Sequence, residues 1–160
     1  MPPTIPLPSK TLRAETTVAG GGGNAGDHGL EPLPGIPVVE EERVRRYALS
    51  LGDRTLADIL ALYAECLVDV GAALDLALQK GAVEGVRHYA YLLTGTAAEM
   101  GSPRLAHVSR FLARRAGQGV AEAGALGSLR QALALTQAAV SDLLERHVEA
   151  GQVSARAMPA

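Results

Sequence analysis

The sequence predicts an all-α protein, namely an antiparallel up-down four-helix bundle preceded by a short extra N-terminal helix. Apolar residues recur at intervals of three and four through most of the chain, which is the period of an amphipathic helix. The connections between these stretches are short, so successive helices must lie antiparallel. Aromatic residues make up only 3% of the chain and Ala and Leu abound, a composition that suits helices packed closely through small side chains.

Length and charge narrow the function classes. A chain of 160 residues is long enough for one domain with a core of its own. A net charge of −2 leaves no sequence-wide basic field for nucleic acid or an anionic membrane. The single cysteine, Cys66, excludes an internal disulfide and a cysteine zinc cluster, and is predicted to be a buried small hydrophobe. Without a signal peptide pattern or a long apolar run, we expect a cytoplasmic protein.

The two ends of the chain differ in composition from the middle. Residues 1–35 are rich in proline and glycine and nearly free of periodic apolar residues, so we expect a flexible, disordered tail or linker. The run Gly20 to Gly23 follows no strand and precedes no Gly-Lys-Ser/Thr, so it does not predict a phosphate loop. The bundle is predicted to occupy residues 36–151, and residues 152–160 are predicted to form a frayed C-terminus.

Two helices are predicted before the central one. The first spans Val39 to Leu51, with Val44, Tyr47, Ala48 and Leu51 on its inner side. The second spans Arg54 to about Lys80. Asp53 is predicted to cap its N-terminus, and Gly81 is predicted to end it.

The central stretch from Val83 to Gly101 has the strongest periodic signal, because one apolar stripe persists over five turns. Its members are Val83, Val86, Ala90, Leu93, Ala97 and Met100. At about 100° per residue, the opposite face holds His88, Leu92, Gly95 and Glu99, with Tyr91 beside them and Thr94 on the flank. This outer face is unusual, because it carries a leucine, a tyrosine and a mid-helix glycine that costs about 1 kcal/mol relative to alanine.

Two more helices complete the bundle. Ser102 is predicted to cap the fourth helix, and Pro103 fits its first position. This helix is predicted to end in the stretch between Gly117 and Gly127. The last helix is predicted to run from Ser128 to about Ala150, where Gly151 caps it.

Four segments of the sequence resemble histidine phosphotransfer (HPt) domains, and the likeness spans about residues 33–150. They are Leu33-Pro-Gly-Ile, Leu51-Gly-Asp-Arg-Thr-Leu, Ala90-Tyr-Leu-Leu-Thr-Gly-Thr-Ala and Met100-Gly-Ser-Pro-Arg-Leu-Ala. HPt domains are helical bundles that carry a phosphoryl group between receiver domains on an exposed histidine. The family pattern around that histidine is Ala-His-x-Leu-Lys-Gly-Ser/Thr-Ala. The resemblance also implies why Gly95 is exposed, since this glycine leaves room for a docking partner.

The two chemically active positions of the family pattern are replaced in this chain. Tyr91 stands where the phosphoacceptor histidine belongs, and Thr94 stands where the lysine belongs. A tyrosine phenol, with a reference pKa of about 10, cannot take the role of an imidazole that is partly neutral near pH 7. Without the lysine, no cation steadies the phosphoryl oxygens at this position. The resemblance therefore implies a degenerate member of the family that is not an enzyme.

Other polar residues leave alternatives open. His88, one turn before Tyr91, is an alternative phosphoacceptor or a histidine at the rim of a contact surface. His107 and His147 have no metal-ligand spacing, and no metal or cofactor is predicted. Five arginines on the central and following helices either face an acidic partner or are simply solvated. They are Arg87, Arg104, Arg110, Arg114 and Arg115.

The predicted function is that of a pseudo-HPt protein of a two-component phosphorelay. We expect it to bind a receiver domain or a histidine-kinase core without transferring phosphate, as a competitor, a sequestering protein or a scaffold. The predicted contact residues are His88, Tyr91, Leu92, Thr94, Gly95 and Glu99. Two alternatives are an active phosphotransfer protein that uses His88, and a helical interaction or homodimerisation module outside two-component signalling.

Overall fold

The structure is a computed structural model that describes residues 35–118 and 123–156. These residues form five helices and no strand, so the predicted all-α class is confirmed. The helices are α1 (Glu41–Leu51), α2 (Asp53–Gln79), α3 (Val83–Glu99), α4 (Pro103–Gly117) and α5 (Ala123–Arg156). None of the helices in the described part of the chain is long and apolar enough to cross a membrane.

Helices α2 to α5 form the predicted four-helix bundle. Helix α3 packs against α2 on one side and α4 on the other, and α5 closes the bundle by packing against both α2 and α4. The centre is filled almost entirely by Leu, Val and Ala side chains, as the composition predicts. Small residues allow close approach: a Cβ atom on Gly71 of α2 would lie 2.8 Å from Cδ2 of Leu133 on α5.

Helix α1 lies outside the bundle and is tied to the C-terminal end of α3. The Arg43 guanidinium donates a hydrogen bond of 2.7 Å to the carbonyl of Ala98. The Tyr47 hydroxyl donates one of 2.9 Å to the carbonyl of Glu99. These carbonyls belong to the last turn of α3, beyond which the regular helical N–H donors end, although Ala98 also accepts the N–H of Gly101 at 3.3 Å. Helix α1 therefore serves as a side-chain cap for α3.

Two glycines with positive φ follow the C-terminal ends of α2 and α3. Gly81 (φ 63°) and Gly101 (φ 69°) adopt the left-handed conformation that L residues with a Cβ avoid. The residue after each glycine donates a backbone hydrogen bond to the preceding helix. The N–H of Ala82 bonds the carbonyl of Ala77 at 2.9 Å, and the N–H of Ser102 bonds the carbonyl of Ala97 at 2.7 Å. This is how a glycine commonly ends a helix, and for Gly81 it confirms the prediction.

The predicted helix caps are only partly correct. Asp53 does not cap α2, because it is the first helical residue and Gly52 occupies the cap position. Its carboxylate instead lies 2.7 Å from Nδ1 of His147 on α5. Ser102 and Pro103 do take the cap and first positions of α4, but the Ser102 hydroxyl makes no capping hydrogen bond.

The last helix is longer than predicted at both ends. It begins at Ala123 rather than Ser128 and continues to Arg156, so Gly127 and Gly151 lie inside it. Packing near each glycine supports the longer helix: Ala125, two residues before Gly127, is only 1% exposed, and a Cβ on Gly151 would lie 3.7 Å from the backbone nitrogen of Arg54. Tertiary contacts outweigh the helix penalty of glycine here. Residues 152–156, which the sequence assigns to a frayed C-terminus, continue α5 in the structure.

Two side chains are less buried than predicted. Leu51, expected on the inner side of α1, is 45% exposed because it lies in the last turn, beyond the part of α1 that covers the bundle. Cys66 packs against the core but is only partly buried. The predicted tail falls in residues 1–35, of which all but Gly35 lie outside the described residues, as do residues 157–160.

Candidate docking face on helix α3

The inner stripe of α3 is packed as its periodicity predicts. Val86, Ala90, Leu93 and Ala97 are each no more than 1% exposed. Val83 and Met100, at the two ends of the stripe, are half-buried. Because this stripe fixes the rotation of the helix about its axis, the opposite side of α3 must face solvent.

The residues predicted to contact a partner lie together on this outer side. His88, Gly95 and Glu99 are exposed, Tyr91 and Leu92 are 52% and 44% exposed, and Thr94 is half-buried on the flank. We call these six residues the α3 face. An aromatic and an aliphatic side chain side by side in solvent are typical of a surface that binds another protein.

Gly95 lies open in the middle of the α3 face. A Cβ atom placed on it would meet nothing within 4 Å. Gly85, almost three helical turns earlier and on the side toward α2, differs, because its Cβ would lie 3.1 Å from the Cβ of Ala77. Packing within this chain therefore explains Gly85 and leaves Gly95 unexplained. A partner that approaches the helix backbone closely would explain it.

The two threonines that flank Gly95 direct their hydroxyls inward along the helix. Thr94 donates a hydrogen bond of 2.8 Å to the carbonyl of Ala90. Thr96 donates one of 2.6 Å to the carbonyl of Leu92. These bonds to the preceding turn satisfy the hydroxyls within the helix. Thr94 thus presents neither a charge nor a free donor to a group outside.

His88 is exposed on the α3 face and packs edge-on against the ring of Tyr89, with ring centroids 5.2 Å apart. It has no carboxylate partner among the described residues. Arg87, the neighbouring cation, pairs with Glu84 of its own helix. The described residues contain no group of three His, Cys, Asp or Glu side chains that could hold a metal ion.

Sequence reasoning named the arginines of α4 but did not place them beside the α3 face. A Cβ on Gly117 of α4 would lie 3.8 Å from Cδ of Arg87, which shows that the flank of α3 carrying Arg87 packs against α4. Tyr91, Thr94 and Ala98 follow on that flank at helical spacing. At its C-terminal end, an open groove of about 400 Å³ lies between α1, α3 and α4, with Ala98, His107 and Arg110 among its lining residues.

Tyr63 of α2 is a buried titratable group inside the bundle. It lies near Ser102, which precedes α4. It is 4% exposed, and neither its hydroxyl nor that of Ser102 makes a well-formed hydrogen bond within the described residues. Burial raises the pKa of Tyr63 to about 12, and the nearby Ser102 hydroxyl opposes that rise only in part. This phenol has no access to the α3 face and serves the core.

The bundle is similar to a solved structure. The chain superposes on the crystal structure of histidine-containing phosphotransfer protein B (HptB) from Pseudomonas aeruginosa PAO1 with a TM-score of 0.63 and 19% sequence identity. The match covers 69% of this chain and 96% of HptB. The chain therefore has an HPt-like fold. No protein-family model and no curated protein sequence matches the chain.

Proposed function

We propose that this chain is a pseudo-HPt protein that binds a receiver domain or a histidine-kinase core through the α3 face and does not transfer phosphate. The observation that carries the proposal is the exposure of Tyr91, at 52%, one turn from an open Gly95 on a bundle with an HPt-like fold. This exposed surface supports contact with a receiver, and the resemblance to HPt domains implies that a phenol stands where the family carries an imidazole.

The chemistry available on the α3 face supports binding rather than transfer. A phosphoryl carrier needs a nucleophile whose phosphorylated form is reactive enough to return the group to an aspartate, and a phosphotyrosine ester is too stable for that. The hydroxyl of Thr94 is bonded to its own helix, so the position where HPt domains carry lysine supplies no cation. Occupying a receiver or kinase core without turnover would make the protein a competitor, a sequestering protein or a scaffold.

Gly95→Arg provides a test of this surface. A side chain on Gly95 projects into open space, so the fold tolerates it, yet it obstructs a partner that approaches the helix. We expect binding of a cognate receiver domain, measured by calorimetry, to weaken by at least about tenfold. Gly127→Arg on α5 is the matched control, because its Cβ also meets nothing within 4 Å. Unchanged receiver binding by Gly95→Arg would place the contact elsewhere.

The same receiver distinguishes the alternative in which His88 is the phosphoacceptor. We expect no acid-labile phosphohistidine after incubation with the phosphorylated receiver. His88 is exposed but lies one turn, roughly 4.5 Å along the helix, from the position of the family histidine. Label that His88→Ala removes would establish the active relay instead. Binding by no receiver or kinase core would favour a helical module with a different partner.

A further inference from the structure

Helix α4 concentrates positive charge on a protein that is slightly acidic overall. Its 15 residues contain four arginines and neither aspartate nor glutamate, whereas the whole chain has a net charge of −2. Helix α2, on the other side of α3, is the opposite: its sequence carries five acidic residues and one arginine. The two helices that border α3 therefore have opposite charge.

Arg110 and Arg114 are the arginines of α4 that are available to a partner. Both are exposed, and neither forms an ion pair within the described part of the chain. By contrast, Arg104 donates two hydrogen bonds, of 3.0 and 2.7 Å, to the carbonyl of Ile36. Arg115 lies over the ring of Phe111 at 5.7 Å. Arg110 and Arg114 are spaced four residues apart, so they lie on one side of the helix.

That side of α4 borders the α3 face. The approach of Arg87 to Gly117 sets the antiparallel register of the two helices, and in that register Arg114 and Arg110 come level with Tyr91 and Thr94. Ala98 and Arg110 both line the open groove at the end of the two helices, as expected from that register. In this register, Arg110 on the neighbouring helix lies level with the half-buried Thr94.

We propose that the partner surface that meets this edge is acidic, and that Arg110 and Arg114 bind its carboxylates in place of a cation on α3 at position 94. The inference deepens the proposed function, on which it rests: it assigns the α4 side of the docking surface and the chemistry of what it contacts. Guanidinium groups suit this role because each binds a carboxylate through two donors.

The test measures receiver binding by the double variant Arg110→Ala, Arg114→Ala. Both residues are exposed and alanine favours helix, so the fold is retained. We expect affinity to fall about ten- to a hundredfold, with a weaker dependence on salt. The matched control is Arg54→Ala, Arg146→Ala, two exposed arginines on α2 and α5, for which we expect less than about a twofold change.

Thr94→Lys in the Arg110, Arg114 double variant provides the rescue. If the two arginines replace a cation at position 94, the lysine should restore much of the lost affinity. A receiver that binds the double variant as tightly as the original chain would overturn the inference and leave the proposed function intact.

If neither a receiver domain nor a histidine-kinase core binds, the proposed function fails and a hexaglutamate peptide decides the inference. We then expect its amide chemical-shift changes to centre on Arg110, Arg114 and the adjoining flank of α3, and to disappear in the double variant. Shifts that are absent, or spread evenly over all exposed arginines, would overturn the assignment.

Discussion

At the scale of single residues, the proposed pseudo-HPt role depends on two side chains of the α3 face, Tyr91 and Thr94. Tyr91 is oriented to solvent by the packing of Ala90 and Leu93 behind it, both fully buried. Any side chain at this position would therefore point outward. The orientation comes from the helix stripe, whereas the reactivity comes from the side chain alone.

The double substitution Tyr91→His, Thr94→Lys tests this separation. We expect the variant to accept phosphate from a phosphorylated receiver as an acid-labile phosphohistidine, because an imidazole would then occupy an exposed position with a cation one turn away. Autoradiography before and after acid treatment measures the product. The single variant Thr94→Lys is the control and should stay unlabelled. Failure of the double variant to label while it still binds the receiver would mean that α3 is not held in a transfer-competent position.

At the scale of helices, periodicity predicted every element, and the errors lie where long-range packing decides. The sequence pattern predicts the inner stripe of α3 because a helix repeats every 3.6 residues. It does not predict that α5 continues through Gly151, because the contact with Arg54 that supports this glycine joins distant parts of the chain. The pairing of Asp53 with His147 spans 94 positions and was missed for the same reason.

The candidate site shows the same division between local pattern and packing. The six residues of the α3 face lie on one helix, so their spacing alone predicted that they lie together. Arg110 and Arg114 lie on a different helix, and only the register between α3 and α4 brings them beside Thr94. The sequence alone does not give this register, so it could not place the two arginines beside Thr94.

Gly95 and Gly71 should respond in opposite ways to alanine. Gly95→Ala places a Cβ in open space, so the helix gains about 1 kcal/mol in the free energy of unfolding at no packing cost. Gly71→Ala places its Cβ 2.8 Å from Leu133, and overpacking of about 1–3 kcal/mol cancels or exceeds that gain. Urea denaturation of both variants measures the difference. If Gly95→Ala fails to stabilise the protein, the space around this glycine is not open as the structure has it.

At the scale of the whole molecule, the bundle depends on a buried core that includes polar atoms without well-formed hydrogen bonds within the described residues. The hydroxyls of Tyr63, Ser102 and Ser109 are buried and lack well-formed hydrogen bonds within the described residues. Each unpaired buried hydroxyl costs on the order of 1–3 kcal/mol. The apolar contacts around Leu67, Leu105 and Leu112, all fully buried, outweigh this cost.

The buried phenol of Tyr63 makes global stability depend on alkaline pH. Its pKa rises from 10.0 in the unfolded chain to about 12 in the folded protein, chiefly because burial disfavours the charged phenolate. The unfolded state therefore loses its proton first. The corresponding stability is fully present below pH 10 and is lost as the pH rises through about 12.

The rise in the pKa of Tyr63 from 10.0 to about 12 corresponds to about 3 kcal/mol in the free energy of unfolding. Urea midpoints between pH 9 and 11.5 would measure how much of this stability is lost. Tyr63→Phe is the matched control, because it keeps the ring and removes the ionisable hydroxyl. We expect this variant to be at least as stable at pH 7, since the hydroxyl it removes makes no well-formed hydrogen bond. Its free energy of unfolding should also not decline steeply above pH 10. Equal alkaline slopes for the variant and the original chain would mean that Tyr63 ionises as readily inside the bundle as outside it.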